Sequence, residues 1–162
     1  MLVIKREYLI EIIRPYLNFK DELYKETGTE QDIVEAIIKM IRRSNRYSYK
    51  VAEVFKGDAQ LIFNTLKNEF TYYREPAERQ TAKTLARYIY DGRGDCKHYS
   101  TFTYCTLKYY YPVRFKLVSW DGVRPQHIYT EYRLFNKWLP IDPVFERLHY
   151  SKKGKKEWIY TM

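Results

Sequence analysis

A chain of 162 residues with 45% hydrophobic and 30% charged residues has the size and composition of one globular domain, able to fold without a metal or disulfide staple, and falls outside the disordered and fibrous classes. Its net charge of +9, from 29 Lys and Arg against 20 Asp and Glu, permits attraction to acidic partners or nucleic acid, yet no groove-reading motif accompanies it. The two cysteines, Cys96 and Cys105, form neither a disulfide framework nor a zinc-type spacing, which points to a reducing, cytoplasmic setting with no metal and no cofactor.

Lys5, Arg6, Glu7, Glu11 and Arg14 interrupt the first seventeen residues, so no signal peptide or membrane span is expected there. Leu9, Ile10, Ile12 and Ile13 recur at helical spacing over about residues 8 to 17, where Pro15 bends or ends the helix. A second helix is predicted over "GTEQDIVEAIIKMIRRS", with Thr29 as cap, Asp32 as the acidic third-position partner, an inward stripe of Ile33, Ile37, Met40 and Ile41, and Arg42 and Arg43 at its C-terminal end. A third follows Asp58, with Leu61, Ile62, Leu66 and Phe70 facing inward. The first half therefore reads as helical.

After the turn "DGRGD", Tyr99, Phe102, Cys105 or Thr106, and Tyr109 recur at helical spacing until Pro112, so Cys96 opens a helix. The period then changes to two. "VRFKLVSW", "HIYTEYRLF" and "KWLPID" read as three strands, with Asp121–Gly122 and Phe135–Asn136–Lys137 as turns. Helices and strands in separate blocks predict an α+β fold with an antiparallel sheet.

Three residues of complementary chemistry fall in order: Cys96 at a helix start, His127 at a strand start, and Asp142 at the end of the next strand. The thiolate is the reactive form of cysteine, and the unpaired N–H groups of a helix N-terminus favour it. His127 would hold that thiolate as an ion pair and later protonate a leaving amine, while Asp142 would fix the imidazole's tautomer. Strand alternation groups His127, Tyr129, Glu131 and Arg133 on one face, and Trp138, Pro140 and Asp142 on one face of the neighbouring strand. Backbone N–H groups around Cys96 would form part of an oxyanion hole.

The run "QTAKTLARYIYDGRGDCKHYSTFTYCTLKYYYPVRFKLV" followed by "HIYTEYRLFNKWLPIDP" resembles the transglutaminase-like superfamily, whose core shares a papain-like architecture, and its small phage-associated members in particular. The likeness spans roughly residues 58 to 145 and includes "LIFNTLKNEFTYYREP" as the helix and Y-x-x-[DE]-P segment ahead of the site; residues 1 to 57 and the basic segment 146 to 162 carry little of it, within one domain of residues 1 to 162. The resemblance implies that Cys96 is the nucleophile, His127 the base and Asp142 the third member, acting on an amide bond of a protein or peptide through a thioester, as a hydrolase or acyltransferase. Lys97 and His98 depart from it, standing where acidic residues are common.

Three further candidates lie nearby. Gln80 is a candidate oxyanion donor, with a hydrogen bond at a helix start as its alternative role; Asp95 is a candidate substrate-side or oxyanion residue; Trp138 is a candidate cleft wall, or else core. Tyr72 and Tyr73 line the cleft or cover the sheet, Cys105 belongs to the core, and His98 points away from Cys96 as a solvent or packing residue. A metal held by Cys96, His98 and His127 ranks last. Two other function classes stay open: a structural or adaptor component of a phage particle with a non-catalytic fold, in host cytoplasm or virion, and nucleic-acid binding through Lys152, Lys153, Lys155 and Lys156 on a solvated tail.

Overall fold

The computed structural model describes residues 1–18, 22–25, 30–76 and 80–162. The chain opens with helix α1 (Arg6–Ile13), which buries Leu9 and Ile13 and then tightens into a 3-10 turn at Arg14–Tyr16. Pro15 lacks an N–H, so the regular helix ends before Leu17. Strand β1 (Glu22–Lys25) precedes helix α2 (Glu30–Ser44). Ile37, Met40 and Ile41 of α2 are buried and Ile33 half-buried, so the expected stripe faces inward; the expected cap, Thr29, lies outside the described residues.

Helix α3 (Ser48–Phe55) was not expected from the sequence. It is only two turns long and starts almost where α2 stops, so its apolar residues read as a continuation of one pattern; left-handed backbone at Lys56 (φ 50°) and Gly57 (φ 74°) ends it. Helix α4 (Ala59–Glu69) starts as expected, with Asp58 Oδ1 accepting from Leu61 N–H at 3.0 Å.

The first half is not purely helical. Strand β3 (Gln80–Lys83) pairs antiparallel with β1, and strand β2 (Thr71–Tyr72) pairs parallel with β4 (Arg93–Gly94), the two flanking helix α5 (Leu85–Asp91). Short strands of two to four residues leave no readable alternation. Gln80 thus sits on a strand, which corrects its alternative role at a helix start.

Helix α6 (Cys96–Leu107) runs through the middle of the molecule, and every residue after Cys96 is buried. On one side Phe102 meets Phe55, Phe70 and Tyr88 from three other helical segments. On the other, Tyr104 stacks on Phe115 and Thr130 Oγ1 donates to the Ser100 carbonyl at 3.2 Å. Each fully buried aromatic here contributes about 2–3 kcal/mol by leaving water.

That second side is an antiparallel sheet in the order β7–β6–β5–β8, built from β5 (Val113–Ser119), β6 (His127–Leu134), β7 (Lys137–Ile141) and β8 (Lys156–Tyr160). Phe135 (φ 49°) and Asn136 (φ 63°) form the two-residue turn between β6 and β7, the positive φ pair of a type I′ hairpin, with Leu134 facing Lys137. The β8 pairing corrects the reading of the C-terminal segment as a solvated tail: "KEWIY" forms an edge strand on β5. Gly154 is required just before it, because a Cβ there would lie 2.2 Å from Val118 Cγ1. Among the described residues, no helix is long and apolar enough to cross a membrane.

Candidate active site

The β6–β7 register sets Arg133 opposite Trp138 and Glu131 opposite Pro140. Two steps further along, the same register brings Tyr129 and Asp142 together and sets His127 at the adjoining strand end. Asp142 Oδ2 lies 2.6 Å from His127 Nε2, with both side chains buried. Asp142 Oδ1 also accepts from Val144 N–H at 3.4 Å, so the carboxylate is held from two sides.

Cys96 is the other polar side chain that acts on the His127 ring, and the two line the same cavity. Since Nε2 faces Asp142, Nδ1 is the ring nitrogen left for the thiol. Burial opposes the charge on His127, but the Asp142 hydrogen bond and Cys96 outweigh it and raise its pKa to about 10. The ring sits in an aromatic setting: Trp120 stacks on it at 6.0 Å, Tyr129 tilts against it at 6.0 Å and Phe145 meets it edge-on at 6.2 Å. These rings limit water around the imidazole without removing its two polar partners.

Cys96 is half-buried at the first position of α6, where the helix leaves its backbone N–H groups without intrahelical acceptors. Asp95 caps that end: its side chain accepts from Lys97 N–H at 3.0 Å, and its own N–H donates to His98 Nδ1 at 2.9 Å. The Asp95 side chain also accepts from the His98 backbone N–H, which with the His98 side chain on the Asp95 N–H completes a capping box with His in the place where Glu or Gln is usual. His98 is therefore buried, stacked on Tyr88, rather than solvent-facing. Its role as a cap partner was hidden because sequence rules seek Glu or Gln at that position.

Lys97 is the least expected member of the site. Its ammonium is buried, donating to Gln80 Oε1 at 2.5 Å and Asp95 Oδ2 at 2.5 Å, with Glu75 Oε1 at 3.3 Å. Glu75 in turn accepts from Thr81 N–H and Oγ1–H. Burial works against charge on Asp95, yet its hydrogen bond with His98 and the Lys97 ammonium hold it well below the usual carboxylate range. Burial likewise works against Lys97, and Asp95, Cys96 and Glu75 hold its pKa above the ordinary value. Glu75, Asp95 and His98 offer ligand atoms within 4.8 Å of one another, a donor set of metal type. The Lys97 ammonium already supplies positive charge there.

A cavity of about 240 Å³ opens over Cys96 and His127, lined also by Tyr72, Arg74, Glu75, Gln80, Asp95, Lys97 and the loop Arg124–Gln126. The geometry thus gathers Cys96, His127 and Asp142, and places Gln80 and Asp95 in the cavity wall. Gln80 does not offer a free donor in this arrangement: its amide Nε2 donates to the Glu75 and Pro76 carbonyls at 3.1 and 2.9 Å. Trp138 is not brought to the cavity. It lies under the Arg114 guanidinium, 4.1 Å from the ring centre, further along the sheet. The tryptophan beside the imidazole is Trp120, just past the end of β5; its signal was the pairing of Val118 with His127, which sequence alone did not register. Tyr72 lines the cavity and packs on Tyr99, whereas Tyr73 lies under Arg93. Cys105 is fully buried, and burial pushes its thiol up to about 12.

No known family model and no curated protein matches the chain. Solved structures do. Calcium-bound LapG of Legionella pneumophila is 16% identical, with a TM-score of 0.50 over 90% of this chain and 76% of its own. A candidate cysteine protease from Cytophaga hutchinsonii is 16% identical, with a TM-score of 0.44 over 73% of this chain, and a TGase is 15% identical, with a TM-score of 0.40 over 93%. The chain spans only 45% and 41% of the length of those last two. At such identities the likeness is one of fold.

Proposed function

We propose that this chain, an α+β protein with the transglutaminase-like fold, is a cysteine-dependent acyl-transfer enzyme acting on amide bonds of proteins or peptides. One observation carries the reading: His127, hydrogen-bonded to Asp142, lines one cavity together with Cys96, which acts on its charge.

In this reading the Cys96 Sγ attacks the amide carbonyl carbon, and the oxyanion that forms accepts from backbone N–H groups at the start of α6. The C–N bond then breaks as the His127 imidazolium passes a proton to the leaving nitrogen, leaving a thioester on Cys96. Water attacks the thioester, His127 takes its proton, and the carboxylic acid departs with the thiol restored. An amine in place of water would give transfer. Hydrolysis is favoured, since water needs no second binding site. Asp142 keeps Nδ1 aimed at sulfur and stabilises the imidazolium without taking its proton. Tyr72 and the Arg124–Gln126 loop both line the groove that would take the acyl group.

The test is acylation by p-nitrophenyl acetate. The expected result is a burst of p-nitrophenolate of about one equivalent, with an acetyl thioester on the Cys96 peptide that hydroxylamine removes. Absence of any Cys96 acylation would falsify the enzyme reading and give precedence to the structural or adaptor role, including one in a phage particle, in which the fold serves without chemistry.

A further inference from the structure

The charges around the cavity do not cancel evenly. Glu75 and Asp95 are engaged by Lys97, and Asp142 by His127, so the acidic groups at the site are internally matched. Arg74 and Arg124 line the same cavity from separate segments, one after β2 and the other in the β5–β6 loop, and both are exposed. Neither guanidinium has a salt bridge among the described residues. The carboxylate nearest Arg124 in sequence, Asp121, forms no salt bridge with it and is held mainly by Ser119 Oγ–H and the Val123 and Arg124 N–H groups, the Arg124 charge being the smallest influence on it. A third cation, Lys152, lies 5.1 Å from the centre of the Trp120 ring that stacks on His127. It comes from the basic C-terminal segment, whose charge the chemistry above leaves without a role.

We infer that the groove selects a substrate bearing a carboxylate near the bond attacked, an acidic peptide segment held by Arg74 and Arg124. The inference rests on the acyl-transfer reading and names its substrate class. Guanidinium groups suit this task because they stay charged at any accessible pH and present a planar fork that matches a carboxylate. Two of them flanking a water-restricted cleft favour an anionic side chain over its neutral isostere both in encounter and in the bound state. Lys152, over the Trp120 ring that stacks on His127, adds positive charge near the same site without lining the cavity. The exposed Arg74 and Arg124 draw acidic segments toward Cys96, whereas the buried Lys97 of the same cavity is matched by Asp95 and Glu75.

The experiment compares alkylation of Cys96 by iodoacetate and by iodoacetamide, two reagents that differ mainly in one negative charge, read by peptide mass spectrometry. In the wild type iodoacetate is favoured. In Arg74→Gln/Arg124→Gln the iodoacetate-to-iodoacetamide rate ratio falls about tenfold, while Lys39→Gln/Arg42→Gln, which removes the same net charge from residues of α2 that do not line this cavity, keeps the wild-type ratio. Alanine-based peptidyl chloromethyl ketones carrying Glu or Gln at one of three positions extend the test to peptides: at least one Glu reagent inactivates faster than its Gln partner, and the double variant loses that preference. A ratio unchanged in the double variant, a fall shared equally by the α2 control, or no Glu preference at any position overturns the inference. These outcomes are separate from failure of the chemistry itself, which shows as slow alkylation by both reagents and no dependence on His127.

Discussion

Two cysteines stand nine residues apart on one helix, and their surroundings could hardly differ more. Cys105 is fully buried among aromatic and aliphatic side chains, and burial, against an opposing pull from the Lys108 charge, pushes its thiol up to about 12. Cys96 sits at the helix N-terminus, half-exposed, beside His127 and at the edge of the cavity. The side chains are identical, so position on the helix and partners set the chemistry. The cost of building the reactive end is visible in the polar groups around it. Asp95, Lys97 and His98 are buried there and Glu75 half-buried, with Lys97 paired to both carboxylates, while the far end of α6 is held mainly by packing.

The largest expected effect breaks the contrast outright. Cys96→Ala should remove acylation by p-nitrophenyl acetate by at least about 10³-fold, leaving only background hydrolysis, whereas Cys105→Ala should leave the burst intact. Asp142→Asn should lower the acylation rate by about 10²–10⁴-fold with little change in the folded structure, because the imidazole loses the partner that fixes its tautomer and charge. Stopped-flow release of p-nitrophenolate measures both.

Lys97→Met sharpens the comparison from the structural side. It leaves buried Asp95 and half-buried Glu75 without their cation, so stability should drop by roughly 3–5 kcal/mol in urea unfolding. Cys105→Ala, which removes only a small apolar group, should cost about 1 kcal/mol. Equal losses for the two variants would contradict the account of the Lys97 network.

Titration gives the smallest and most gradual effect. His127 has its folded-state pKa raised above the ordinary value of about 6.5. Its contribution to stability is therefore complete below about pH 6.5 and is lost as pH rises through about 10. Asp95 has its pKa depressed, so its contribution is present above about pH 4 and lost as pH falls further into the acid range. Thermal unfolding of wild type and His127→Ala across pH 6 to 10.5 should show curves that differ in the acid part of that range and converge toward the alkaline end.

Much of this site could be read from the sequence because its parts lie on long elements. Cys96 opens a twelve-residue helix, and His127 and Asp142 sit on strands of eight and five residues or just beyond them, where period and turn spacing fix which faces meet. The α+β arrangement followed from the same change of period. What was hidden depended on non-local pairing. Strand β8 pairs with β5 across some forty residues, and its charged, lysine-rich approach reads as solvated. Trp120 reaches His127 through the β5–β6 register, and Lys97 finds Glu75 and Gln80 from segments whose contacts no local periodicity encodes. Trp138 was chosen for its residue type and its strand, but the sheet hands it to Arg114 instead.

The most direct measurement of the central claim is the rate of Cys96 alkylation by iodoacetamide against pH, in wild type and His127→Ala, with Cys105 as internal reference. A thiolate held by the His127 imidazolium predicts fast alkylation of wild-type Cys96 at pH 6, at least about tenfold slower alkylation in His127→Ala at the same pH, and an unreactive Cys105 in both. Superimposable Cys96 profiles in the two proteins, each rising only in the range of an ordinary thiol, would contradict it.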